Sequence, residues 1–98
     1  MTAYVISEVE ILDEENADLY RPLAAASIEK HGGRYLVRGA APDIVEGPPA
    51  GHRLVIVAFP TMRQAKTWYA SADYARALAY RDKALRRRLT FVEGILPA

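Results

Sequence analysis

Residues 54–59 read Leu-Val-Ile-Val-Ala-Phe, an apolar run with no polar residue at either parity. Side chains of a strand alternate between the two faces of its sheet, so a strand with one wet face shows a polar residue at every second position. Here one parity offers Leu54, Ile56 and Ala58, and the other offers Val55, Val57 and Phe59. Both faces of this sheet therefore need cover. Burying one large apolar side chain gains roughly 1.5–3 kcal/mol, so a short chain loses much by leaving such a set in water. The chain has 98 residues, enough for a single domain over residues 1–98 with one core.

The rest of the pattern supplies the sheet's neighbours. Ala3 to Leu12 reads as a strand, apolar at Tyr4, Val5 and Ile6 and then alternating through Val9 and Ile11. Asp13 is placed as a helix N-cap, with Glu14 and Glu15 in the first turn where the dipole favours acids. Glu14 to Lys30 is helical, with Ala17, Tyr20, Ala24, Ile28 and His31 on one face and Leu19, Leu23 and Ala26 widening it. Pro22 lies inside this span, where its missing N–H predicts a kink or a restart. His31-Gly32-Gly33 ends the helix, since glycine takes the left-handed cap conformation readily.

Arg34 to Gly39 is the second strand, with Tyr35 and Val37 on one side and Arg34, Leu36 and Arg38 on the other. Ala40 to Gly51 is a loop rich in proline and glycine, within which Asp43 to Glu46 reads as a minor strand. His52 to Phe59 is the third strand. Thr61 and Gln64 have capping-box spacing after Pro60, and Met62, Ala65, Trp68 and Tyr69 form the apolar side of the helix they open. Ser71-Ala72-Asp73 marks a break and a new cap. Tyr74 to Arg88 is a second helical piece carrying Tyr74, Leu78, Arg81 and Leu85 in one line. Leu89 to Ile95 is the last strand, with Leu89, Phe91, Glu93 and Ile95 on one side, and Pro97-Ala98 is a tail.

Strand, helix, strand, strand, broken helix, strand is the order of an α+β, ferredoxin-like βαββαβ subunit. Right-handed crossovers put the helices on one face of a four-stranded antiparallel sheet. The opposite face is apolar and no further segment is long enough to form a third layer. A second copy stacked sheet to sheet satisfies it, so the chain is expected to pair with itself as a homodimer. The alternative is that the loop from Ala40 to Gly51 folds across that face.

Charge and composition close off other classes. Lys and Arg number 13 against 12 Asp and Glu, a net charge of +1, so neither nucleic acid nor an anionic membrane is an expected partner. The run Arg86-Arg87-Arg88 reads as a solvated helix terminus whose charge suits the dipole. There is no cysteine, which excludes disulfides and thiolate chemistry, and the two histidines lack metal-ligand spacing. No cofactor is expected. The N-terminal stretch has no basic region, and the run from Leu54 to Pro60 is too short for a bilayer, so the expected location is the cytoplasm.

Chemistry-bearing candidates are few. Arg81 stands in an apolar helical line, where an arginine must snorkel outward, pair with a carboxylate such as Glu8, Glu10 or Glu93, or clamp an anion. His31, at a helix end, is either a local cap or a catalytic base, the role imidazole side chains commonly take. Tyr20, Trp68, Tyr69 and Tyr74 face the sheet, as core or as the wall of a mostly apolar pocket with polar handles. Arg38 and Glu93 are strand charges available to such a pocket. The candidate set is thus His31 and Arg81 for catalysis, with Tyr20, Arg38, Trp68, Tyr69, Tyr74 and Glu93 for ligand binding.

Tyr4-Val5-Ile6, the stretch from His31 to Gly39 (His-Gly-Gly-Arg-Tyr-Leu-Val-Arg-Gly), Phe59-Pro60, Trp68-Tyr69, Ser71, Tyr74 and Val92-Glu93-Gly94 together resemble the domain-of-unknown-function family 1330. The resemblance runs from Tyr4 to about Ile95. It implies the dimeric α+β barrel superfamily, whose ferredoxin-like subunits pair through their sheets. That superfamily holds cofactor-independent monooxygenases, haem-degrading enzymes, small isomerases, decarboxylases and ligand-sensing domains. Two functions follow as expectations. One is a small-molecule binder or cofactor-independent enzyme with a pocket between helices and sheet, taking a small anionic ligand. The other is a non-catalytic dimeric module in which the aromatics only fill the core.

Overall fold

The computed structural model describes residues 1–49 and 51–95; the expected tail at Pro97-Ala98 lies outside them. The elements are β1 (Ala3–Ile11), α1 (Glu14–Lys30), β2 (Arg34–Ala40), β3 (Arg53–Phe59), α2 (Met62–Tyr69), α3 (Ala72–Ala84) and β4 (Leu85–Glu93). They form one four-stranded antiparallel sheet in the order β2-β3-β1-β4, the ferredoxin-like arrangement, with three helices on one face. No helix among the described residues is long and apolar enough to cross a membrane.

Local chemistry sets the helix starts. Asp13 accepts from the Asn16 backbone N–H at 3.2 Å, Thr61 from that of Gln64 at 3.2 Å, and Ser71 from that of Tyr74 at 3.1 Å. Each cap satisfies a donor that a helix start leaves without an internal partner. The break between α2 and α3 falls at the expected serine. α1 runs unbroken through Pro22, without a restart there. Pro22 and Asp18, whose carbonyl loses its donor to the proline, both face solvent, so water can satisfy the freed group. The minor strand at Asp43–Glu46 does not form.

Two departures from the sequence reading matter for function. The last helix ends at Ala84 and β4 begins at Leu85, so Arg86, Arg87 and Arg88 are strand residues rather than a helix terminus. The turn that leads from β1 into α1 holds this junction in place, because the backbone N–H groups of Leu12 and Asp13 both donate to the Ala84 carbonyl. In β2, Tyr35 pairs with Val57 but Val37 pairs with Ile56, so Leu36 is an unmatched residue. This bulge rephases the strand. Arg38 then pairs with Val55 and lies on the same face as Tyr35, not with Arg34 as strict alternation predicts. The Arg38 guanidinium sits 4.4 Å from the Tyr35 ring centroid.

The core between helices and sheet is aromatic. Tyr74 and Phe59 are fully buried, and the Trp68 ring centroid lies 4.3 Å from that of Tyr74 and 5.4 Å from that of Phe59. Trp68 donates from its indole to Ser27 Oγ at 3.0 Å, tying α2 to α1. Lys30 at the end of α1 reaches Asp73 in the first turn of α3 at 3.1 Å.

The other face of the sheet has no layer over it. The molecule measures 35 × 32 × 15 Å between its Cα extremes, the thickness of one sheet and one helix layer. This face carries Tyr4, Ile6, Leu54, Ile56, Val37 and Val92, and ion pairs Arg88–Glu8 at 2.6 Å and Arg86–Glu10 at 3.5 Å at one end. Val92 is 44% exposed. The long loop does not cover it: Val45 near its tip is 88% exposed.

Candidate functional site

A cavity of about 280 Å³ lies between α1 and the inner face of the sheet. Its floor is built by strand alternation. β1 contributes Val5, Ser7, Val9 and Ile11, and β4 contributes Leu85, Arg87 and Leu89. Val55 and Val57 continue the apolar floor on β3, while Tyr20, Ala24 and Ile28 of α1 close the roof and Trp68 one end. Arg21, Arg38 and Arg53 stand at its rim. No Asp or Glu among the described residues lines it.

Arg87 is the polar centre of this space. It donates from Nη1 to the Tyr20 hydroxyl at 3.0 Å and from Nη2 to the Tyr74 hydroxyl at 2.8 Å. The two hydroxyls are 2.6 Å apart and share a hydrogen bond. Both phenol oxygens therefore accept from the guanidinium, and one phenol also donates to the other. Tyr74 is fully buried and Tyr20 faces the cavity, so with Tyr74 as the donor the Tyr20 proton remains for a ligand. Burial pushes the Tyr74 phenol well above its ordinary pKa, with Tyr20 adding to the rise and Arg87 opposing it. Tyr35 is raised in the same way by burial, with Arg38 opposing. Burial works against the charge on Arg87, but the two phenol oxygens more than offset it and the guanidinium is held above its usual pKa.

Two side chains that line the cavity each hold a buried polar atom with no hydrogen-bond partner among the described residues: Arg87 Nε and Ser7 Oγ. An unmatched buried donor costs about 1–3 kcal/mol. Ser7 and Arg87 sit on adjacent strands one diagonal step apart, since Ser7 pairs with Leu89 and Val9 pairs with Arg87. Together with the Tyr20 hydroxyl they offer donors, and no anionic acceptor, to whatever enters.

Of the sequence candidates, the structure brings Tyr20, Arg38 and Trp68 to the cavity and leaves the others off its wall. Tyr74 lies behind Tyr20 as its hydrogen-bond partner. Tyr69 packs on Trp68 and Tyr74, with centroids at 6.0 and 5.7 Å, and faces solvent. His31 caps α1, with Nδ1 bonded to the Ser27 carbonyl at 2.8 Å. Arg81 does not join a buried acid; its Nε donates to Asp82 at 3.0 Å on the surface of α3. Glu93 is exposed at the end of β4. The arginine on the apolar line is thus Arg87, missed because the last helix was extended over the first residues of β4. Starting the strand at Leu85 would have shown it: Leu85, Arg87, Leu89 and Phe91 share one parity. Among the described residues no group of three or more His, Asp or Glu side chains converges as metal ligands would.

Solved structures share this architecture. A protein of unknown function from Rhodopseudomonas palustris superposes with a TM-score of 0.79 at 17% identity, covering 98% of this chain and 84% of that one. SnoaB, a cofactor-independent oxygenase from Streptomyces nogalater, gives 0.68 at 7% identity, covering 97% of this chain and 94% of its own. Rv0793 from Mycobacterium tuberculosis gives 0.61 at 17% identity, covering 100% and 99%. At these identities the likeness shows the fold alone, that of a ferredoxin-like α+β subunit. No curated protein matches the sequence. The profile of a domain of unknown function, DUF1330, matches residues 2–95, and the chain belongs to that family.

Proposed function

We propose that the cavity under α1 binds a small, largely apolar molecule through an anionic oxygen, held by Arg87 with Ser7 and Tyr20. The observation that carries this reading is the pair of partnerless buried atoms, Arg87 Nε and Ser7 Oγ, on two side chains that line one cavity. A carboxylate, enolate or phenolate oxygen there would accept from both and from the Tyr20 hydroxyl. Charge-assisted hydrogen bonds of this kind are about twice as strong as neutral ones. The same guanidinium would stabilise an oxygen on which negative charge develops during cofactor-independent chemistry. The fold shared with SnoaB supports that possibility by analogy.

The test uses 4-methylphenylacetate as probe, titrated calorimetrically into the wild type and into Arg87→Met. Methionine keeps much of the side chain's length without its donors, and leaves the Tyr20–Tyr74 bond in place. Binding should weaken by about tenfold or more, the loss of a charge-assisted contact. Equal affinity in the two proteins refutes the assignment.

We also propose that the protein works as a homodimer joined through the uncovered sheet face. The support is the apolar set Tyr4, Ile6, Leu54 and Ile56 on a face that no part of the described chain covers. A chain without cysteine suits a reducing compartment, and we assign it to the cytoplasm; fractionation of cells carrying the tagged chain checks this.

A further inference from the structure

The cavity floor has a charge pattern that a single acidic group does not use up. Of its four arginines, Arg21 is already committed to Asp18 at 2.8 Å and Glu14 at 3.4 Å. Arg87 is held by the two tyrosines. Arg38 and Arg53 are different. Arg38 lies over the Tyr35 ring and Arg53 donates to the Gly39 carbonyl at 3.1 Å. Neither has a carboxylate within ion-pairing distance among the described residues, although the chain holds 12 acids.

Strand register shows where these cations stand relative to Arg87. Val9 of β1 pairs with Arg53 on one side and with Arg87 on the other, so the three form one row across the sheet. The next row runs Arg38, Val55, Ser7, Leu89. Both rows thus begin with a rim cation, cross a valine, and reach the polar interior at Ser7 or Arg87. Two inter-strand steps separate the ends of the first row, about 10 Å between backbones. The walls over the middle are apolar and aromatic: Val9, Val55, Tyr35 and Trp68.

We infer that the ligand is two-ended, an apolar body about the size of one ring with an acidic group at each end. This rests on the anionic-ligand reading above and extends it. One acid meets Arg87, Ser7 and Tyr20 in the interior, and the other meets Arg38 and Arg53 at the rim. A ligand with one acid would leave the rim pair facing an apolar tail. Two adjacent guanidiniums without acids also raise the local potential and draw dianions toward the opening. The exposed position of the rim pair makes its contribution smaller and more sensitive to salt than that of Arg87.

The experiment compares two probes of one shape, 4-methylphenylacetate and benzene-1,4-diacetate, by calorimetry at low salt. They are titrated into the wild type, Arg87→Met, and the double variant Arg38→Gln/Arg53→Gln. The diacid should bind the wild type about tenfold tighter than the monoacid, the worth of one additional charge-assisted contact. In the double variant that advantage should vanish while the monoacid loses less affinity than the diacid, and an unchanged circular dichroism spectrum shows that the variant is folded. Equal affinity of the two probes for the wild type overturns the two-ended ligand and leaves the Arg87 site standing. An advantage that survives in the double variant also overturns it. Failure of both probes to bind, or binding insensitive to Arg87→Met, overturns the Arg87 site and this inference with it.

Discussion

At the scale of single residues, the proposed function gathers at Arg87, and its partners explain why it can be buried. Each terminal nitrogen has a phenol oxygen to donate to, so the charge is spread over two fixed acceptors rather than matched by a carboxylate. That arrangement leaves the guanidinium's charge available to a ligand, which a buried salt bridge would not. Removing one acceptor should be costly. Tyr74→Phe deprives Arg87 Nη2 of its partner in a buried site and should lower the unfolding free energy by about 1–3 kcal/mol, read from urea denaturation. Tyr20→Phe should weaken binding of the acid probes more than it weakens the fold, because Tyr20 reaches the cavity and Tyr74 does not. The raised pKa of Tyr74 gives a pH signature. Below pH 10.0, its ordinary pKa, folded and unfolded chains both hold the phenol proton. As pH rises further the unfolded chain releases it while the folded chain keeps it, so stability falls. Urea midpoints between about pH 9 and pH 11 should therefore decline more steeply in the wild type than in Tyr74→Phe.

At the scale of elements, the sequence is readable where one local signal dominates. Asp13, Thr61 and Ser71 are caps in the structure because a short side-chain oxygen before a helix has few better uses. α1 occupies the residues its periodicity marks. The two misplaced features have different causes. Alanines and arginines favour a helix through Arg88, whereas pairing with β1 from Ile11 to Ala3 claims the chain from Leu85 onward. The β2 bulge has no local signature at all, since Tyr35, Leu36 and Val37 all suit a strand and only the register with β3 reveals the extra residue. Arg87 and the inward turn of Arg38 were hidden for these reasons, although Tyr20 and Trp68 were visible as helix-face aromatics. Two substitutions probe the elements directly. Pro22→Ala should stabilise α1 by about 1–2 kcal/mol in urea denaturation, since alanine restores the hydrogen bond to Asp18 at an exposed site and the gain exceeds the unfolded-state entropy lost with proline. Gly33→Ala should destabilise by about 1–3 kcal/mol, because its Cβ would stand 2.7 Å from the Phe59 ring and 2.8 Å from Ile28 Cγ2.

For the molecule as a whole, the central fact is a two-layer body with a third surface built like an interior. The apolar residues of β3 at both parities mark this surface in the sequence itself, because no arrangement of the helices covers both sides of one strand. The proposed homodimer has a direct test. Sedimentation velocity should give a dimer mass for the wild type, and Ile6→Glu/Ile56→Glu should give monomers that keep the circular dichroism of the fold. The two positions pair across β1 and β3, so the double change sets like charges side by side in the middle of the proposed contact. A wild type that stays monomeric at high concentration removes the proposal.

The unmatched Leu36 links the two sides of the sheet. In strict alternation the same letters of β2 would turn the isopropyl group of Val37 toward the ligand and aim the Arg38 cation at the seam between copies. Desolvating that cation without a counter-charge would work against assembly. One surplus residue therefore turns Val37 toward the proposed twin and Arg38 toward the cavity mouth, while Arg34, beside Ala58, stays on the outer face, and loss of that offset would damage the proposed association and ligand capture together.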